Sequence, residues 1–236
     1  MTERWTALGN DYLVVERRLG VLTPAQVTAL CAEGADGILE VVEAGRDELD
    51  VVIWNRNGTT AELSGNGTRI AARWLAERTG AKQVLVRVGA REVRARMLGG
   101  SDVETEIGPV EVAAAELVDG VEVVRVRVGN PHAVVEDDPA EVVRIGPLLV
   151  THRSFPGGTN VEVVRLDRPG EVTARVWERG VGETPASGTG AVAAAAATHD
   201  DGDVVVHLPG GDLHVRLARG KAVLIGPAER VESVHS

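Results

Sequence analysis

The chain carries one stretch twice. Ile53-Trp-Asn-Arg-Asn-Gly-Thr-Thr-Ala-Glu-Leu-Ser-Gly-Asn-Gly-Thr-Arg-Ile-Ala-Ala72 aligns without a gap on Val176 to Ala195, pairing Trp54 with Trp177, Arg56 with Arg179, Ser64 with Ser187, Gly65 with Gly188 and Gly67 with Gly190, at an offset of 123 residues. Gly9-Asn10 recurs as Gly129-Asn130 at an offset of 120, and Pro24-Ala25 as Pro139-Ala140 at 115. These offsets are close to half of the 236 residues, so the chain reads as two copies of one unit. We expect domains at 1–112 and 113–236, with the C-terminal strand returning to the first.

Each copy is read from its local pattern. Strands are expected at Trp5–Leu8, Tyr12–Glu16, Ile38–Glu43, Leu49–Asn55, Gln83–Val88, Glu92–Leu98 and Val103–Ile107, because these are short Val-rich runs bounded by Gly, Asn and Asp. Thr23, Pro24 and Gln26 form a capping box that opens a helix over about 24–33. A second helix follows Ser64-Gly-Asn-Gly67 and runs to about Arg78; Gly108-Pro109 begins the connection between copies. The second copy repeats this order, with strands at Val121–Val128, Ala133–Glu136, Asn160–Leu166, Val172–Trp177, Val204–Leu208, Leu213–Leu217 and Ala222–Ile225. A short helix is expected over about 139–143, and an alanine-rich one after Ser187.

The fold class is α+β: two pseudosymmetric domains, each a strongly curved, mainly antiparallel sheet or barrel around a central helix. On this reading Ser64 and Ser187 stand on opposite walls of one interdomain cleft. Each serine is followed by glycines that let backbone approach a ligand, and by a helix whose first N–H groups lack intrahelical partners. An ordinary glycine turn capped by serine explains one such stretch. Two equivalent ones suit removal of a proton from one face of a carbon and delivery to the other, which is racemisation or epimerisation.

Composition narrows the partners. With 35 acidic against 25 basic residues and a net charge of −10, neither nucleic acid nor a membrane surface is expected. Neither an 18-residue apolar run nor a signal-like start is found, which points to a soluble cytoplasmic protein. Oligomeric state stays open, a homodimer included. Cys31 is the single cysteine, in an apolar helical run, and reads as a buried structural thiol. His132 is a proton-carrier candidate, while His152, His199, His207, His214 and His235 read as solvated. No residues show metal-ligand spacing.

Leu8-Gly-Asn-Asp11, Gly34-Ala-Asp-Gly37, Asn55-x-x-Gly58, Gly65-Asn-Gly67, Gly129-Asn-Pro-His132, Thr159-Asn160, Glu178-Arg-Gly-Val-Gly-Glu-Thr184 and Gly188-Thr-Gly190 together resemble the diaminopimelate epimerases, the pyridoxal-independent enzymes of lysine and cell-wall precursor synthesis, across nearly the whole length. The resemblance implies that no cofactor is used. It implies contacts from Asn55, Asn160 and Arg179 to the distal amino-acid end, and from Asn10 and the Glu178 region to the reacting amine. It also places Asn130 and His132 near the reaction centre, and backbone N–H groups of Gly65, Asn66, Gly188 and Thr189 on the reacting carboxylate.

The family carries a thiolate base and an opposed thiol acid where this chain has Ser64 and Ser187. A thiol with a pKa near 8.5 is readily ionised at a helix N-terminus, whereas a serine hydroxyl is several units less acidic. At about 1.4 kcal/mol per unit, the up to ~2 kcal/mol available from a helix terminus does not close that gap. Three readings follow: an epimerase impaired by the loss of both thiols, a divergent isomerase of another small acid using His132 or Glu178 as base, and a non-catalytic amino-acid-binding protein.

Overall fold

The computed structural model describes residues 2–17 and 20–231. The chain divides into two compact units, residues 1–106 with 226–236, and residues 107–225; the expected boundary at 112/113 falls inside the second of these.

The first unit contains β1 (Thr2–Ala7), β2 (Asn10–Glu16), α1 (Pro24–Cys31), β3 (Gly37–Ala44), β4 (Glu48–Asn55), β5 (Thr60–Ala61), α2 (Gly65–Thr79), β6 (Gln83–Val88), β7 (Arg91–Met97) and β8 (Asp102–Pro109). The second contains β9 (Glu111–Val112), β10 (Glu116–Val118), β11 (Val121–Arg127), β12 (Pro131–Glu136), a 3-10 turn at Pro139–Glu141, α3 (Val142–Leu149), β13 (Asn160–Arg168), β14 (Glu171–Glu178), β15 (Gly182–Thr184), α4 (Gly188–Thr198), β16 (Gly202–Leu208), β17 (Gly211–Ala218) and β18 (Lys221–Pro227). Strand β19 (Glu229–Arg230) returns to the first unit and pairs with β1.

The pairings repeat. In the first unit β1–β2, β3–β4, β6–β7 and β7–β8 are antiparallel, while β2–β3 and β4–β6 are parallel across helical connections. In the second, β11–β12, β13–β14, β16–β17 and β17–β18 are antiparallel, and β12–β13 and β14–β16 parallel. Each unit is therefore a mainly antiparallel α+β sheet with two parallel steps, and a helix enters at the second of them.

Those helices lie in the cores. Ile70, Ala71, Ala72, Trp74 and Leu75 of α2 pack with Trp5, Leu39, Ile53 and Val86. Every residue of α4 from Gly188 to Ala195 is buried, as expected of a helix apolar all round. Glycine lets strand and helix meet. A Cβ at Gly67 would lie 3.1 Å from Leu39 Cδ2, and one at Gly190 would lie 2.9 Å from Glu162 Oε1.

Several expectations are corrected. Gly108-Pro109 ends β8 rather than starting a connection. The second short helix is a 3-10 turn followed by α3, which reaches Leu149. Gly146 and Pro147 lie inside α3, and Gly146 is where α3 closes on Trp177, whose Cβ would stand 2.6 Å from an added Cβ. The two-residue strands β5, β9 and β19 and three-residue strands β10 and β15 are too short to show periodicity. The capping box at Thr23 forms, and Cys31 is buried, which pushes its thiol pKa up. His152 and His199 are not fully solvated: His152 pairs with Asp119 at 3.1 Å, and His199 Nε2 accepts from the Gly170 N–H. His235 lies outside the described residues.

Candidate active site

Both serines cap their helices. Ser64 Oγ accepts the Gly67 N–H at 3.0 Å and Ser187 Oγ accepts the Gly190 N–H at 3.2 Å, each from extended backbone at the N-cap. Ser187 is buried and Ser64 half-buried.

In the first unit, Asn10, Ser64, Gly65 and Asn66, all expected, come together with Tyr12 and Arg69, which were not. Asn66, in the first turn of α2, donates from Nδ2 to Asn10 Oδ1 at 3.3 Å. Two positions beyond Asn10, the Tyr12 hydroxyl lies 3.1 Å from Ser64 Oγ. The Gly34–Gly37 motif explains how this edge is held: Asp36 Oδ2 accepts the Asp11 N–H at 2.8 Å, and Gly37 leaves room for the Tyr12 ring. Beneath Gly65 and Asn66 lies Arg69, fully buried, which donates to Asn66 Oδ1 at 2.7 Å and to the Gly65 carbonyl at 3.1 Å. Burial pulls its pKa down to about 10. Asn55 ends β4, where its Nδ2 donates to Thr59 Oγ1 within its own turn.

The second unit is more acidic at the equivalent place. His132 and Glu162 are both wholly buried, with Nδ1 to Oε1 at 2.8 Å, and His132 Nε2 meets Asn130 Oδ1 at 2.9 Å. Asn130 Nδ2 in turn donates to Thr189 Oγ1 at 3.3 Å. Glu178, at the end of β14, is half-buried and adjoins the Ser187 hydroxyl. Burial pushes its carboxyl pKa up, Glu162 adds to the rise, and the hydrogen bond from Ser187 opposes it. Glu162 is also pushed up, by burial against the pull of His132, and its Oε2 has no hydrogen-bond partner among the described residues. Asn160 and Arg179 form a separate pair: Asn160 Oδ1 accepts the Arg179 N–H at 2.9 Å, and Arg179 Nη1 donates to the Gly157 carbonyl at 2.6 Å.

Tyr12, Glu162 and Arg69 are the residues sequence reasoning missed. The signals are slight: Tyr12 is the only tyrosine, and Glu162 interrupts a valine-rich strand. The geometry also separates His132 from Glu178. Both ring nitrogens of His132 are engaged and its side chain has no exposure, whereas Glu178 is partly accessible beside a serine.

The sequence model of the diaminopimelate epimerase family matches residues 5–113 and 124–231. This chain belongs to the diaminopimelate epimerase family. A diaminopimelate epimerase of Pelotomaculum thermopropionicum is 36% identical, over 96% of this chain and 95% of that protein. The fold is also that of a solved predicted epimerase from Pseudomonas aeruginosa, with a TM-score of 0.76 at 16% identity over 100% of this chain and 99% of that one. A hydroxyproline epimerase from Agrobacterium vitis matches with a TM-score of 0.67 at 14% identity over 98% of this chain and 90% of that one. Membership makes the chain one of the cofactor-independent amino-acid epimerases and racemases. Among the described residues no helix is long and apolar enough to cross a membrane.

Proposed function

We propose that the chain interconverts LL- and meso-diaminopimelate by proton transfer at the α-carbon. The observation that carries this reading is the duplicated serine-capped helix start, each copy backed by a group able to hold a proton: Tyr12 behind Ser64 and Glu178 beside Ser187. The first N–H groups of α2 and α4 hold the substrate carboxylate and stabilise charge as the α-proton leaves. On the second unit Glu178 exchanges the proton through Ser187, while His132, fixed by Glu162 and Asn130, orients the Asn130–Thr189 edge. Asn55, Asn160 and Arg179 hold the distal end. The reaction serves lysine and cell-wall precursor synthesis in the cytoplasm.

Serine in place of thiol slows the chemistry without removing the binding groups. Calorimetry with meso-diaminopimelate is expected to show binding by the chain as it stands. The double change Ser64→Cys and Ser187→Cys is expected to raise α-proton exchange in deuterated water by an order of magnitude or more, and either single change by much less, because inversion needs an acid and a base on opposite faces. Absence of both binding and exchange, in the parent and in the double cysteine form, would overturn the reading in favour of a different ligand.

A further inference from the structure

The repeat puts Tyr12 where the second unit has His132: Gly9-Asn10 recurs as Gly129-Asn130, and in the parallel ladders Tyr12 is opposite Gly37 as His132 is opposite Asn160. The two titratable side chains are held differently. His132 is locked between Glu162 and Asn130. At Glu162's place the first unit has Leu39. The Tyr12 hydroxyl instead meets Ser64 Oγ at 3.1 Å, with the tyrosine 7% exposed and Ser64 half-buried in front of it. Ser64 Oγ already accepts the Gly67 N–H, which leaves its one proton to be passed on and one lone pair to receive another.

We propose that Tyr12 is the proton carrier of the first unit, exchanging protons with the substrate carbon through the hydroxyl of Ser64. The inference rests on the epimerase reading and specifies the proton path at Ser64. In the delivery direction the Ser64 O–H bond breaks as the carbanion's electron pair forms the new C–H bond. The Tyr12 O–H bond breaks in the same event, and its proton restores the serine hydroxyl. Tyr12, left as phenolate, recovers a proton from water, releasing hydroxide. In the abstraction direction the phenolate takes the Ser64 proton while Ser64 takes the substrate's, and the C–H electron pair stays on the substrate. No free serine alkoxide forms in either direction. The proton then passes to and from a phenol rather than an aliphatic alcohol, and a phenol is the more acidic of the two.

The test is Tyr12→Phe, which removes one oxygen and keeps the ring in its seat against Gly37, measured by deuterium exchange and epimerisation of meso-diaminopimelate. In the parent the expected loss in kcat is about a hundredfold or more with little change in KM, and in the Ser64→Cys background the same substitution costs less than about tenfold, since a thiol needs no relay. Equal losses in the two backgrounds would show a packing role and overturn the proposal, as would no loss in the parent. If the parent binds but does not exchange, while the Ser64→Cys, Ser187→Cys form does, the epimerase reading stands and the relay through Tyr12 is wrong. If neither form binds or exchanges, the epimerase reading itself fails and the relay falls with it.

Discussion

Two buried glutamates hold different positions in this molecule. Glu40 is saturated: its carboxylate accepts Arg17 Nε at 2.9 Å, the Leu22 N–H at 3.1 Å and Trp54 Nε1 at 3.0 Å, and its pKa is lowered because those bonds outweigh burial. Glu162 faces His132 with one oxygen and has no hydrogen-bond partner for the other among the described residues, and its pKa is raised. Glu178 is raised as well, by burial first. A raised carboxyl holds its proton more tightly in the folded chain than in the unfolded one, so its contribution is present below the unfolded value of about 4.3 and is lost as pH rises through the folded value. The melting temperature of Glu178→Gln relative to the parent is therefore expected to rise between about pH 4 and pH 7. A difference that is flat, or that falls over this range, would show that burial does not control this carboxyl.

At the scale of elements, closeness of helix to strand decides where glycine is required. Gly146 lets α3 lie against Trp177, the residue before Glu178; an added Cβ would stand 2.6 Å from Trp177 Cβ and Cγ. Gly146→Ala is expected to destabilise the fold by about 1–3 kcal/mol, as overpacking of a close contact does, and urea unfolding measures it. Gly67 and Gly190 serve the same purpose at the first turns of α2 and α4. This explains why the Gly-x-Gly pattern was legible in sequence while its reason was not: the atoms it avoids, Leu39 Cδ2 and Glu162 Oε1, lie far away along the chain.

At the scale of the whole molecule, the C-terminal segment completes the first unit. Thr6 pairs with Glu229 and Trp5 with Arg230, the Ala228 N–H donates to the Ser101 carbonyl at 3.0 Å, and Arg69 Nε reaches the Pro227 carbonyl at 3.4 Å. Ala228 itself is buried in that core. A chain ending at Ile225 is expected to lose hydrogen-exchange protection in β1 and around Ser101 while the β16–β17 hairpin keeps its own; equal loss in both places would show that the segment supports the second unit too.

The duplicated stretch, the serine caps, the capping box at Thr23 and most strands could be read from sequence because each is local. Caps act over three residues, strands show a period of two, and a repeat is visible as an offset. The same reading named Ser64, Ser187, His132 and Glu178 as candidates. It did not find what stands behind them. Tyr12 on β2 reaches Ser64 at the N-cap of α2 across 52 positions, and His132 reaches Glu162 across 30 between the parallel strands β12 and β13. Only the tertiary register determines which residues of β3 and β13 lie under the glycine turns, and so puts Leu39 beneath one serine and Glu162 beneath the other. Sequence determined the two serine-capped helix starts; the packing of sheet on helix made their surroundings different, one with a tyrosine hydroxyl and a buried arginine, the other with a buried histidine and two carboxyls.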